Sequence, residues 1–341
     1  MLFYLLASAT AGTLSIDMLD VGQGDSVLLT TSRGAHILVD AGTSRAGVAD
    51  TLERMGVERI DVLIGSHPHA DHIGGLATII ERFPVGAYYH SGDAHTTRTY
   101  RNLEEVIRAK KIEHKVAKAG QKFDLGDGAV MKVLWPGTMR LEGTRSDLNS
   151  NSVVLRIENE NDCILLMGDA EEPTEHAILR HHKEPCGLLK VAHHGSNHSS
   201  SQQFLNTIQP QIALISSGAG NRYRHPGDQT LRKLHRMDTE VYRTDLTGHI
   251  TVLSTGNGFE VVDGLADSAP TQLPRVIAPE ALTETESPGP PPSEPPPPAQ
   301  DSTDEIEVKS VDESKEAVDS RDNETLSFGQ RLLNWLRFWK H

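Results

Sequence analysis

Ser66-His67-Pro68-His69-Ala70-Asp71-His72-Ile73-Gly74-Gly75 directly follows the apolar, β-branched run Ile60-Asp61-Val62-Leu63-Ile64-Gly65. The run reads as a buried strand, and the polar stretch as the loop that leaves its end ahead of a helix. Between His67 and His72 the chain sets three imidazoles and one carboxylate, which cannot all be buried without a partner. Zinc, manganese and iron accept such nitrogen and oxygen ligands. Alternate side chains pointing to opposite sides of one pocket would serve two ions. The alternative is a polar loop that happens to be rich in histidine; Pro68 stiffening the run and Gly74-Gly75 closing it argue against that.

Two further apolar runs end in the same way. Ile164-Leu165-Leu166-Met167-Gly168 leads to Asp169, and Leu189-Lys190-Val191-Ala192 leads to His193-His194-Gly195-Ser196. A lone strand-terminal Asp is more often a cap or turn residue. Here ligand-type residues recur at three strand ends, which points to one shared site.

Working outward, Thr13–Asp20, Ser26–Thr31 and Ala35–Asp40 read as strands broken by Gly22-Gln23-Gly24-Asp25 and Ser32-Arg33-Gly34. The period then changes: 47–55 is helix-like, 60–65 a strand, 73–83 a helix. The second half echoes this plan, with strands at 130–135, 152–157, 163–168, 188–192 and 212–216 and helices at 171–182, 202–208 and 229–236. Two β-rich halves with helices following suggest two facing sheets with helices outside.

His-x-His-x-Asp-His at His67–His72 resembles the signature of the metallo-β-lactamase superfamily. Val39-Asp40-Ala41-Gly42 looks like its first motif and Gly168-Asp169 like its bridging aspartate. Asp20-Val21-Gly22-Gln23-Gly24-Asp25-Ser26 and His193-His194-Gly195-Ser196 resemble, more narrowly, the hydrolase domain of ComEC-type DNA-uptake proteins and their stand-alone relatives. Asn149-Ser150-Asn151-Ser152, Arg224-His225-Pro226 and Thr244-Asp245-Leu246-Thr247-Gly248 fit that subgroup too.

The resemblance implies an α/β fold of the αββα type, a sandwich of two mixed sheets with outer helices. It also implies one or two divalent metals per chain, zinc or manganese. His67 and His69 would hold one ion and Asp71 and His72 the other, with Asp169 bridging and His193 or His194 completing the second site. Asp40 would accept a hydrogen bond from a ligand histidine and fix its tautomer. The implied chemistry is phosphodiester hydrolysis by a metal-activated hydroxide, with no covalent enzyme intermediate. Asp71 and His225 are the candidates for the catalytic step. Ser196 and Asn197 are weaker candidates for donors to phosphate oxygens, and Gly22 and Gly24 could let backbone amides approach an anion, although two glycines in a turn are usually just a turn.

Many members of the superfamily carry a further histidine between signature and bridging aspartate. Here Asn149 to Ser152 occupies that place, and His90, His95 and His114 do not match the motif. The implied first site is therefore weaker, wetter and more tolerant of Mn²⁺.

Composition divides the chain near Gly264. Beyond it the sequence becomes a Pro, Glu, Asp and Ser mixture with too little apolar surface to offset its ordering entropy. The expected organisation is an arm or export signal over 1–11, a hydrolase domain over 12–264, a disordered acidic linker over 265–324 and an amphipathic helix over 325–341. From Leu265 onward 15 acids face 7 bases, a net −8 of the chain's −14, leaving −6 for the folded part. That balance is not the footprint of a duplex-DNA binder, although bound cations and Arg222 with Arg224 can supply positive potential locally.

Met1–Leu6, followed by Ala7-Ser8-Ala9 and Ala9-Thr10-Ala11, resembles the end of a secretory signal with a short apolar core; a first strand or packed arm reads equally well. An exported or membrane-associated bacterial location and a cytoplasmic one both stay open. At the other end, Ser327-Phe328-Gly329-Gln330 has the form of a capping box. Phe328, Leu332, Trp335, Leu336 and Trp339 then fall on one apolar stripe beside Arg331, Arg337 and Lys340, the composition of a helix lying on a membrane surface or docked on protein. Cys163 and Cys186 read as two buried thiols, since spacing alone does not define a disulfide.

Three functions compete: a phosphodiesterase or nuclease acting on DNA, a hydrolase of a small phosphodiester or lactone, and a metal-bound nucleic-acid or envelope binding module with little turnover. Partners are accordingly nucleic acid or a small diester, with a membrane surface through the carboxyl end. Nothing in the sequence sets the oligomeric state.

Overall fold

The computed structural model describes residues 12–263 and the backbone of 275–277. The arm or signal over 1–11, most of the linker and the amphipathic helix expected over 325–341 lie outside the described residues. In chain order the first half gives β1 (Leu14–Met18), β2 (Val27–Thr30), β3 (His36–Val39), α1 (Val48–Arg54), β4 (Ile60–Gly65), α2 (Ala70–Ile73), α3 (Leu76–Arg82), β5 (Val85–His90), α4 (Arg98–Lys110) and β6 (His114–Val116). Then come β7 (Lys122–Gly126), β8 (Ala129–Trp135), α5 (Asp147–Ser150), β9 (Val154–Asn159), β10 (Asp162–Leu166), α6 (Glu172–Ile178), β11 (Leu188–Lys190), α7 (Gln202–Ile208) and β12 (Ile212–Ile215). The chain ends its described part with α8 (Asp228–His235), β13 (Glu240–Arg243), α9 (Thr244–Thr247), β14 (Ile250–Ser254), β15 (Phe259–Asp263) and β16 (Arg275–Ile277).

Among the described residues the strands form two sheets, ordered β16-β15-β14-β1-β2-β3-β4-β5-β6 and β13-β12-β11-β10-β9-β8-β7. Both are mixed: β3, β4, β5 and β6 run parallel, as do β10, β11, β12 and β13, while the remaining pairs are antiparallel. The parallel strands β4, β10 and β12 are buried along their whole length, which is why they read as continuous apolar runs rather than as alternating ones.

Side-chain alternation assigns the layers. One face of the first sheet, with Leu28, Leu38 and Leu63, packs against Leu52 of α1, Leu76 and Ile79 of α3, and Leu103 and Ile107 of α4. One face of the second, with Leu165, Leu189, Ala213 and Ile215, packs against Ile178 of α6, Phe204 and Leu205 of α7, and Leu234 of α8. The opposite faces, carrying Ile16, Ile37, Val62 and Ile64 on one sheet and Ile157, Ile164, Leu188 and Leu214 on the other, are equally buried. They face each other, as the hydrogen bonds from Asn159 Nδ2 to the carbonyls of Gly12 and Ser254 show. The architecture is the expected αββα sandwich, and no helix among the described residues is long and apolar enough to cross a membrane.

Several expectations are corrected. The helix read over 73–83 is two pieces, α2 ending at Ile73 and α3 starting at Leu76; between them a Cβ on Gly74 would stand 2.4 Å from the Ala70 carbonyl and 2.6 Å from the Ser44 amide, and one on Gly75 2.3 Å from the Ala41 carbonyl, so the close packing there admits only glycine. The two sheets do not follow the two halves of the chain: β14 pairs with β1, so the late strands close the first sheet. β16 pairs with β15 inside the stretch read as linker. The two cysteines form a disulfide, Cys163–Cys186, with Cα atoms 4.7 Å apart. Adjacent parallel strands bring them together, a proximity that spacing in sequence does not reveal.

Candidate metal centre

The parallel strands of both sheets deliver the site from their carboxyl ends. Asp40 follows β3, His67 to His72 follow β4, Asp169 follows β10, and His193 with His194 follow β11. Local backbone geometry aims them. Asp40, His193 and His194 hold positive φ of 60°, 51° and 55°, and Gly168 and Gly195 hold 53° and 81°. Non-glycine residues reach that region at a cost of about 1–3 kcal/mol each, which the surrounding structure must outweigh. His193 N donates to the Gly168 carbonyl at 3.0 Å, tying the third strand end to the second.

Four overlapping groups of potential ligand atoms result among the described residues; two contain Asp25, and the other two include residues that line one cavity. In His67, His69 and Asp169 the donor atoms all lie within 4.8 Å of one another, and the same holds for Asp71, His72 and His194. Asp169 Oδ2 is 3.7 Å from His67 Nε2, while its Oδ1 is 3.3 Å from His72 Nε2 and 3.7 Å from His194 Nε2. One carboxylate thus offers an oxygen to each group. His194 Nε2 also lies 3.6 Å from Asp71 Oδ2, so the histidine that completes the second group is His194. His193 stands on the side of the first group: its Nε2 is 3.7 Å from Asp169 Oδ2, its Nδ1 3.4 Å from Glu171, and its ring lies beside Asn149 Nδ2 at 3.4 Å. Asn149 therefore stands next to the first group, with its buried Oδ1 unpaired.

Behind the ligands, Asp40 Oδ2 lies 2.8 Å from His72 Nδ1, which leaves Nε2 free to face the cavity. Ser66 holds that carboxylate through its amide at 2.7 Å and its hydroxyl at 2.6 Å. A second buried carboxylate, Asp25, was quoted in the opening motif without a role. It lies 3.3 Å from His194 Nδ1 and forms a buried ion pair with Lys190, whose ammonium also donates to the Gly168 carbonyl at 3.3 Å. A lysine within the apolar run 188–192 was the signal for this pair. Gly24 is more than a turn: a Cβ there would sit 2.3 Å from the Asp71 carbonyl, which accepts from the Asp25 amide.

The electrostatics are those of a cation site. Asp25, Asp40, Asp71 and Asp169 gather around the His72 and His194 rings, and Lys190 pairs with Asp25. Burial pushes the Asp169 carboxyl upward, but His72, His194 and His193 outweigh it and hold it well below the usual range. Against its own burial, His72 is raised well above the ordinary value by Asp169 and Asp40, and His194 is pushed up to about 9 by Asp169 and Asp25. Burial lowers His67 and His69, so both are neutral, lone-pair ligands. Asp169 Oδ1, His72 Nε2 and His194 Nε2 are buried without a hydrogen-bond partner and converge on one point. Unpaired buried atoms of this kind, in this donor set, fit a divalent ion.

The ligands open on a cavity of about 350 Å³ lined by Gln23, His69, Asn149, His193, Tyr223 and His225, among others. His225 is half-buried, its ring 5.4 Å from that of His193, and burial together with His193 and His194 pushes it down to about 4. Neither Ser196 nor Asn197 is among the residues lining this cavity. Ser196 is buried, and Asn197 Oδ1 accepts from the amides of Gln229 and Thr230 at the start of α8. Both are scaffold and stand off the cavity wall.

A family model described as the metallo-beta-lactamase superfamily matches residues 19–219. The chain belongs to the metallo-β-lactamase superfamily. Among curated proteins it is 31% identical over 247 residues to Recombination protein 2 of Haemophilus influenzae, covering 70% of this chain and 29% of that protein. It is 31% identical over 239 residues to Competence protein ComA of Neisseria gonorrhoeae, covering 69% and 31%. The chain thus spans less than a third of the length of these two relatives. Among solved structures, the metallo-beta-lactamase fold protein YhfI from Bacillus subtilis superposes with a TM-score of 0.47 at 12% identity, covering 70% of this chain and 99% of that one. As a superfamily member, the chain brings together His and Asp groups that could hold divalent metal.

Proposed function

We propose that this protein is a metal-dependent hydrolase that cleaves phosphodiester bonds in DNA. The observation that carries the reading is Asp169, whose two oxygens serve two ligand groups on one cavity. Divalent cations held there would supply Lewis acidity toward water and toward the non-bridging oxygens of a phosphoryl group. The protein's part is positioning. Asp40 fixes the His72 tautomer, Asp25 with the Ser216 carbonyl fixes that of His194, and His225 stands on the wall where its ring can hydrogen-bond a bound diester. The similarity to Recombination protein 2 and Competence protein ComA supports DNA as the polymer.

A small phosphodiester or lactone is the second reading, supported by the modest volume of the cavity, about 350 Å³. With Asn149 where a further histidine would stand, the His67, His69, Asp169 group favours an ion that tolerates oxygen and water ligands, so Mn²⁺ should activate at least as well as Zn²⁺. Metal-stripped protein reloaded with each ion is assayed on single-stranded DNA, linear duplex and a chromogenic bis-phosphodiester. Metal-dependent cleavage of DNA supports the proposal. Turnover of the chromogenic diester alone moves the assignment to the second reading, and two equally tight zinc ions with no response to Mn²⁺ contradict the weak first site.

A further inference from the structure

The loop between β12 and α8 carries an exposed aromatic and cationic step at the mouth of the cavity. Tyr223 is 51% exposed, one of few large hydrophobic side chains so open among the described residues, and it lines the same cavity as the ligands. Its ring stacks on His225 at 5.8 Å and 24°, and His225 lies against His193 at 5.4 Å. The Arg222 guanidinium sits 4.8 Å over the Tyr223 ring and donates to its hydroxyl at 2.6 Å. His225 also lies 6.1 Å from the His194 ring at 32°, so a row of rings runs outward from the candidate ligand His194 through His225 and Tyr223 to an exposed guanidinium.

The step is held rigidly. Asn221 Oδ1 accepts from the amides of both Tyr223 and His225, at 3.1 and 3.0 Å, and its Nδ2 donates to the Gly218 carbonyl at 2.9 Å. Pro226 anchors the far side against Gly195, where an added Cβ would stand only 2.5 Å from its ring. An exposed aromatic ring presented at low ordering cost offers a π-face on which a flat group can stack.

The geometry points to an unpaired nucleobase, stacked on the Tyr223–Arg222 step, as the feature by which the site selects single-stranded over duplex DNA. This inference rests on the phosphodiesterase reading. With a net charge of −6 over the folded part, the protein gains little from tracking phosphates along a duplex, whose bases are already stacked. A single strand offers a π-face at every base, and both tyrosine rings and guanidinium planes accept it.

The test measures binding of a phosphorothioate-linked single-stranded oligonucleotide to the metal-loaded full chain, beside an abasic strand of equal length. Tyr223→Ala should weaken binding of the base-bearing strand about tenfold, while Tyr223→Phe should stay within about threefold of wild type. The abasic strand should bind wild type and Tyr223→Ala equally, both weakly. Wild-type affinity in Tyr223→Ala, an equal loss on the abasic strand, or no binding of either strand overturns the platform. Tyr223-dependent binding without cleavage of ordinary DNA under any metal leaves the platform standing and removes the phosphodiesterase reading.

Discussion

Lys190 is one of the largest fully buried side chains of the protein, and its ammonium reaches Asp25 across 165 residues of sequence. Removing one member of a buried pair leaves the other charged and unsolvated, at a cost of about 3–5 kcal/mol. Lys190→Met should therefore lower unfolding free energy by about 3 kcal/mol in a urea titration of the metal-free protein. It should also loosen His194, which shares Asp25, and so weaken metal binding. A variant as stable as wild type would make the pair a bystander. Much of this scale was legible beforehand. Five chemically demanding residues from His67 to Asp169, and Asp40 behind them, announced themselves by residue type at strand ends. Asp25 did not, because nothing local ties a turn aspartate to a lysine that only the facing sheet brings near. The choice between His193 and His194 was equally closed to sequence, since it turns on two consecutive positive φ angles.

The turn after β11 shows how much the elements depend on backbone that only glycine adopts easily. Gly195 has φ +81°, and an added Cβ would meet Pro226 at 2.5 Å. Gly195→Ala should push the 218–227 loop outward and tilt His194, lowering metal affinity about tenfold, the usual effect of disturbing a ligand's support. Calorimetric metal titration checks this, and unchanged affinity would show that the turn absorbs the methyl group elsewhere. Strong periodicity made β4, β10, β12 and α7 legible. The stretch 84–129 and the strands after 240 were not read, although α4 is the longest described helix, capped by the Thr97 hydroxyl accepting from Tyr100. Its stripe is thin, with Leu103 and Ile107 its buried residues, so the pattern is outweighed by Arg, Glu and Lys on its solvent side.

Across the whole molecule, the Cys163–Cys186 bond joins the starts of two neighbouring strands whose other ends carry Asp169 and His194. Closing a loop with a sequence separation of 23 should contribute about 3 kcal/mol to stability. Denaturation with and without reductant measures it, and superimposable curves would contradict that contribution. Bonds of this kind persist in oxidising compartments, which an exported chain meets. The sandwich itself was legible from alternating strands and helices and from the resemblance at His67–His72. Its closure by β14 and β15 was not, because antiparallel pairing between residues 14–18 and 250–254 leaves no mark in local pattern. The central claim is that Asp169 joins two metal groups into one hydrolytic site, and the direct measurement is metal content and DNA hydrolysis of Asp169→Asn beside wild type, with circular dichroism confirming the fold. The expected result is loss of bound metal and of hydrolysis together in a folded protein; full metal occupancy with unchanged hydrolysis would contradict it.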